Sequence, residues 1–294
     1  MAYAIGIAGT GRMARALGKV LFSRGVPIAA VGGRDAKNAE EAADFVGCGV
    51  AAKLHNLPSY ATCILISVSD DAIPVVVDQL VFGGLSGGLA LHTCGAHGPD
   101  VLAPLRAPGN EVGVFHPLVG VPQAERGVMA MPGATFACAG DKGALEWALE
   151  MVEIMQGQNL AVDPARWHLY HAAAAIAGNY QCTLADVALE LLEQAGVPRE
   201  TALPAFASFL RATTESILAI GPAKALPGPI SRGDAGTIRR HITALKASGS
   251  PATNGLYAAA GLRTIEMARR KGTLSDTAAD DIRAILKQFS HEND

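Results

Sequence analysis

Short apolar runs alternate with amphipathic segments along the first half of the chain. The runs YAIGIAG (3–9), PIAAVGG (27–33), CILISV (63–68), LALH (89–92) and EVGVF (111–115) lack the inside–outside alternation of a half-buried strand. Such continuous apolarity suits strands covered on both faces of a parallel sheet. Between the first two lies GRMARALGKVLFSRG, which places Met13, Leu17, Val20 and Leu21 on one helical face. Strand–helix–strand repetition at this spacing predicts a doubly wound α/β domain. ATFACAG (134–140), a helix over 141–156 and NLAVD (159–163) are expected to extend its sheet.

Beyond Pro164 the pattern changes to long helices rich in Ala and Leu. Breaks are expected at GVPRE (196–200), GPAKALPGP (221–229), SGSPATNG (248–255) and KGTLSD (271–276). The chain therefore reads as two domains, an α/β domain over 1–163 and an all-helical one over 164–294.

Composition narrows the function. The 294 residues can bury a large core, and half of them are hydrophobic against 17% charged. A net charge of −3 leaves no basic footprint, so no nucleic-acid partner is expected. No membrane-length apolar run and no secretory leader is apparent, which points to a cytoplasmic protein. The five cysteines are odd in number and contain no CxxC pair, so they read as buried thiols and not as disulfides or a metal site.

The first strand-like run ends in GIAGTGRMARA, a Gly9-x-Gly11-x-x-Ala14 element between strand and helix. The first glycine permits the tight turn, the second lets a pyrophosphate approach, and the small third residue lets helix and strand pack. Gly9, Thr10, Gly11, Arg12, Met13 and Ala14 are thus the expected dinucleotide cradle. The second strand ends in VGGRD. An NAD site would end it with a carboxylate for the ribose hydroxyls, whereas Gly33 is followed here by Arg34, a guanidinium suited to a 2′-phosphate. NADP is therefore the expected cofactor, and Asp35 is free to cap the next helix.

GIAGTGRMA with GGRD resembles the N-terminal domain of pyrroline-5-carboxylate reductase and of deazaflavin-dependent NADP oxidoreductases. HTCGAHGPDVLAPL, FHPLVG, LYHAAAAIAGNY and GPISRGDAGTIRRH together resemble a group of Rossmann-like proteins with a C-terminal helical domain of unknown function. That group is provisionally assigned to NADP-dependent oxidoreductases. The resemblance covers nearly the whole chain. It implies a C-terminal domain like that of 6-phosphogluconate dehydrogenase and a homodimer, and it supplies no substrate.

Several further residues are candidates for chemistry. Val68, Ser69 and Asp70 lie at the C-terminal end of the strand at 63–68, where ligands of open parallel sheets bind; Asp70 or Asp71 could equally cap the following helix. Thr93 in HTCG is placed near the nicotinamide, with His92 and Cys94 read as packing residues. His116 in VFHPLVG is the foremost acid/base candidate of this half, and the segment resembles the histidine–proline segment of prephenate dehydrogenases. In RWHLYHAAAAIAGNYQCTLAD, one continuous helix would align Ala172, Ala175, Asn179 and Asp186, with His168 nearby and His171 about 80° from Asn179. In β-hydroxyacid dehydrogenases a lysine precedes the asparagine by one turn; Ala175 stands there instead, which disfavours a hydroxyacid substrate. Asn179 is then a substrate or nicotinamide contact, or an interhelical one.

PGPISRGDAGTIRRH (227–241) offers Ser231, Arg232 and Asp234 as an active-site wall for an anionic ligand, with Arg232 pairing Asp234 as the plainer alternative. Asp234 or Thr237 can cap a helix whose buried stripe is Ile238, Ile242 and Leu245. The expected function is hydride transfer between NADP(H) and a small anionic imine or a carbonyl or hydroxyl compound. A prephenate-dehydrogenase-like oxidation and a non-catalytic NADP-binding sensor are the alternatives.

Overall fold

The computed structural model describes residues 4–248 and 250–292. Tyr3, the first residue of the YAIGIAG run, and Gly249 of the SGSPATNG break lie outside the described residues. Two compact units divide after Tyr180, the second beginning at Gln181.

The first unit is an eight-stranded sheet in the order β3-β2-β1-β4-β5-β6-β7-β8. Its strands are β1 (Ile5–Ala8), β2 (Ile28–Gly33), β3 (Ala51–Lys53), β4 (Cys63–Ile66), β5 (Leu89–His92), β6 (Glu111–Pro117), β7 (Thr135–Gly140) and β8 (Gln158–Ala161). All neighbours pair in parallel except β6 and β7, which run antiparallel with His116 opposite Ala137. The order reverses between β1 and β4, the topological switch point at which open α/β sheets bind ligands. β3 is the one strand that the apolar pattern does not announce: three residues on the sheet edge, the last of them exposed.

Side chains alternate between the two faces with period two. Ile5 and Ile7 of β1 and Leu65 of β4 join one core with Leu17 and Leu21 of α1 (Arg12–Ser23) and Trp147 of α5 (Lys142–Ile154), and Val128 of α4 (Ala124–Ala130) packs against it. Ile64 and Ile66 point the other way, onto Val76 and Leu80 of α3 (Ile73–Phe82). Both faces are covered, so every central strand needs apolar residues throughout, which explains the unbroken runs.

The sheet also recruits a helix from the region expected to be the second domain. Trp167, at the start of α6 (Trp167–Ala177), is 1% exposed and packs with Val114 of β6 and Ala137 and Ala139 of β7. This burial anchors α6 to the first unit and sets the division later than residue 163. The helix then breaks at Gly178, and Asn179 opens α7 (Asn179–Gln194). A single helical wheel over 168–186 does not hold across that break, so the expected alignment of Asn179 with Ala172 and Ala175 is not formed as drawn.

The second unit contains most of α7, then α8 (Arg199–Ile220), the one-turn α9 (Pro222–Ala225), α10 (Ala235–Ser248), α11 (Pro251–Lys271) and α12 (Asp276–His291). Its core joins Ile238, Ile242 and Leu245 of α10 to Ala258 and Ile265 of α11 and to Ile282, Leu286 and Phe289 of α12. The break expected over 248–255 is shorter, because Ser250 accepts a hydrogen bond from the N–H of Thr253 and Pro251 takes the first helical position.

Candidate active site

A cleft of about 700 Å³ opens at the C-terminal ends of β1, β2, β4 and β5. Its floor is the turn between β1 and α1. Gly9 has φ +136°, and a Cβ there would stand 2.0 Å from the carbonyl oxygen of Ser67, so no side chain fits. A Cβ on Gly11 would meet nothing within 4 Å, and that open space is where the backbone can receive a ligand. Gly11 is the N-cap of α1, no side chain caps the helix, and no acidic residue lies in its first turn. The first N–H groups of α1 are thus left for an anion. Ala14 is buried behind the turn, where its small side chain permits the close packing of α1.

Thr10, Arg12 and Met13 line the cleft beside the two glycines. The Arg12 guanidinium donates to the carbonyl of Pro122 (2.8 Å). Gly33 and Arg34 form the wall at the end of β2. Arg34 is exposed and has no ion-pair partner among the described residues. The neighbouring carboxylate, Asp35, is committed to α2 (Ala36–Val46), accepting from the N–H of Asn38 at 2.8 Å. These residues fit an NADP(H) molecule: an uncapped helix end for the pyrophosphate and an uncommitted guanidinium beyond it.

The opposite wall comes from the loops after β4 and β5. Val68, Ser69, Asp70 and Thr93 all line it. Thr93 is held by its N–H on the carbonyl of Ile66 (3.0 Å) and by its hydroxyl on Ser67 (3.0 Å). Asp70 does not cap α3, whose N-cap is Ala72 without a side-chain bond. It accepts instead from the Cys94 thiol, Sγ to Oδ1 2.8 Å. Burial, and then the bond to Asp70, push the Cys94 pKa up to about 12, so the sulfur is a protonated thiol.

His92, fully buried beneath this loop, donates from Nε2 to the carbonyl of Gly98 (3.0 Å) and accepts at Nδ1 from the N–H of Cys94 (3.2 Å). Burial lowers its pKa to about 4. A second proton would also set N–H against N–H at Nδ1. His92 is a neutral structural residue.

A histidine cluster adjoins the cleft at Gly95. A Cβ on this glycine would lie 2.6 Å from His116 Nε2 and 2.8 Å from His171 Nδ1, so only glycine lets both imidazoles close on the loop. Gly95 lines the cleft, and its carbonyl accepts from the Trp167 indole N–H at 2.9 Å. Nδ1 of His116 is 2.6 Å from the Tyr170 hydroxyl. Burial, then the charge of His171, lowers the His116 pKa to about 4, whereas burial raises that of Tyr170 to about 12. Nδ1 of His171 is buried without a hydrogen-bond partner among the described residues. Sequence reasoning does not single out Tyr170; its only signal is its place beside His171, 54 residues from His116.

Asn179 is exposed at the start of α7. The remaining candidates belong to the second unit. Ser231 is buried, its hydroxyl 3.1 Å from that of Thr273. Asp234 caps α10 by accepting from the N–H (2.9 Å) and hydroxyl (2.6 Å) of Thr237, and these bonds hold its carboxyl below the usual range. The expected ion pair between Arg232 and Asp234 is not formed among the described contacts. Arg232 is exposed.

Residues 2–117 match the model of a Rossmann-like domain, and residues 134–264 match a domain of unknown function, DUF2520. The chain carries a Rossmann-like domain followed by a DUF2520 domain. No curated protein matches its sequence. The fold of the Rossmann–DUF2520 chain is shared with a provisionally assigned NADP oxidoreductase from Bacteroides fragilis. That protein is 23% identical, with a TM-score of 0.74 over 90% of this chain and 98% of that one. Pyrroline carboxylate reductase from Plasmodium falciparum, solved with NADP bound, is 13% identical with a TM-score of 0.57, covering 100% and 99%. A reductive aminase from Aspergillus terreus, in complex with NADPH and ethyl-5-oxohexanoate, is 17% identical with a TM-score of 0.56, covering 99% and 95%. At these identities the likeness is one of fold.

Proposed function

We propose that this protein is an NADP-dependent oxidoreductase acting on a small anionic substrate at a C=N or C–O carbon. The observation that carries this reading is the pairing, in one cleft, of an uncapped helix end at Gly11 with an uncommitted Arg34 and no carboxylate at the tip of β2. A 2′-phosphate would be repelled by a carboxylate there and gripped by the guanidinium. When bound, the nicotinamide supplies or accepts the hydride. Among the structural relatives, a pyrroline carboxylate reductase and a reductive aminase favour the C=N substrate.

The chain's own contribution is orientation and one proton. Thr93 and Gly95 present the wall against which the reacting end of the cofactor would lie. His116 manages the proton: with Nδ1–H donating to Tyr170, the Nε2 lone pair faces the Gly95 wall. Its low pKa keeps that lone pair free at neutral pH. An anionic substrate beside it raises the pKa and lets the same imidazole return the proton in the opposite direction.

We also assign a second copy of the chain as partner of α8. This 22-residue helix buries only Ala202 among its residues, while Leu203, Phe209, Ile217 and Leu218 are exposed. Sedimentation should report a dimer, and a monomer at micromolar concentration would remove that assignment.

Calorimetry with NADPH and NADH tests the cofactor, and nicotinamide absorbance across imines, ketoacids and hydroxyacids tests the reaction. No heat with either coenzyme would overturn the reading. Tight NADPH binding with no substrate oxidising it would leave the sensor alternative.

A further inference from the structure

Three side chains on the wall of the cleft bring together a thiol, an imidazole and a carboxylate. One ligand atom from each of Cys94, His97 and Asp70 lies within 4.8 Å of the others. Cys94 and His97 sit on the single turn HTCGAHG after β5, in C-x-x-H spacing, and Asp70 reaches them from the loop after β4. We propose that this triad is a binding site for a divalent transition metal of the zinc class, with the fourth position open to the cleft. The proposal does not depend on the nucleotide.

The donor set itself selects the ion. Thiolate and imidazole prefer zinc-like cations over magnesium or calcium, and three protein ligands with one open position is a common arrangement at metal sites that bind further ligands. The Cys94 thiol proton sits between Sγ and Asp70 Oδ1, 2.8 Å apart. A dication takes that position. The S–H bond breaks, a metal–sulfur bond forms, the proton leaves to solvent, and no atom changes oxidation state. Zinc–sulfur and zinc–oxygen bonds of about 2.3 and 2.1 Å at tetrahedral angles need the two atoms roughly 3.5 Å apart. The exposed Asp70 can retreat by the fraction of an ångström this requires, while Cys94 stays anchored in the buried turn.

The outer contacts suit a bound thiolate. The N–H of Ala96 points at Cys94 Sγ from 3.3 Å, and an N–H donor of this kind stabilises negative charge on sulfur. Cys94 and Asp70 line the cleft, so the ion has an entry path.

The test uses the full chain carrying Cys182→Ser, which removes the exposed thiol. Titration with cobalt(II) alone should show one equivalent bound with a thiolate-to-metal charge-transfer band in the near ultraviolet. Cys94→Ser should abolish the band and weaken binding at least tenfold. His97→Ala should keep the band and weaken binding at least tenfold, which keeps the test decisive if one variant folds poorly by circular dichroism. Cobalt binding without the band, affinity unchanged in both variants, or no binding up to millimolar cobalt would each overturn the site. NADPH calorimetry on the same samples reads the cofactor assignment separately, so failure of one is distinguishable from failure of the other.

Discussion

The hydroxyl of Tyr170 stands 2.6 Å from Nδ1 of His116 and ties the end of β6 to the first turns of α6. This bond fixes the ring about its own axis and selects which nitrogen faces the Gly95 wall. His116→Ala should lower turnover by roughly 10²–10⁴-fold, the usual range for a lost general acid or base. Tyr170→Phe should cost less, about tenfold, because the imidazole is mis-set but present. Both should leave NADPH affinity unchanged by calorimetry; turnover equal to the parent in both would remove His116 from the reaction.

The two loop glycines should separate stability from binding. Alanine at Gly9 collides with the Ser67 carbonyl at positive φ, a loss on the order of 3 kcal/mol visible as a lower urea midpoint. Alanine at Gly11, where φ is −74° and nothing lies within reach of a Cβ, should cost about 1 kcal/mol or less. Gly11→Ala should nonetheless weaken NADPH binding, since its methyl enters the space left for the pyrophosphate. A Gly11→Ala protein that binds NADPH like the parent would show that the ligand does not approach there.

Arg34→Ala tests the choice of coenzyme. Loss of a charge-assisted contact worth about 1.5–3 kcal/mol should weaken NADPH roughly 10–100-fold and NADH by little. Equal losses for the two would mean that Arg34 does not read the 2′-phosphate.

Titration of His116 gives a pH signature. Its imidazole should titrate near pH 4 by NMR, displaced from 6.5 by burial and then by His171, with Asp70 pulling weakly the other way and the Tyr170 phenol neutral. Because the folded value lies below the unfolded one, the unfolded chain takes up its proton first on acidification. The stability contribution is therefore complete above about pH 6.5 and is lost as the pH falls toward 4. The urea midpoint should drop across that window, and His116→Gln should flatten the slope. A midpoint constant across the window would contradict the low pKa.

Much of the first unit could be read in the residues. β1, β2, β4, β5 and β6 were legible because both faces of a central parallel strand must be apolar, and Ile5 and Ile64 satisfy opposite cores with the same residue type. β3 was not, because a three-residue edge strand buries too little to leave a pattern. A glycine inside an alanine-rich run is no certain stop, so the residues predict one continuous helix through Asn179; only the backbone shows α6 ending at Gly178. For Asp70 the residues leave a cleft contact and a helix cap both open, because Asp at a strand–helix junction suits either; the structure puts it on the cleft wall with its carboxylate facing a thiol 24 residues away.

The sequence by itself determined the glycine-turn floor of the cleft, because a glycine turn, a strand end and a helix start lie within about 30 consecutive residues and act through local sterics. Only the tertiary structure decided which polar groups meet around it. His116 joins Tyr170 and His171, and Asp70 joins Cys94, because strand order and the burial of Trp167 bring distant loops to one edge of the sheet, and no local periodicity encodes that pairing.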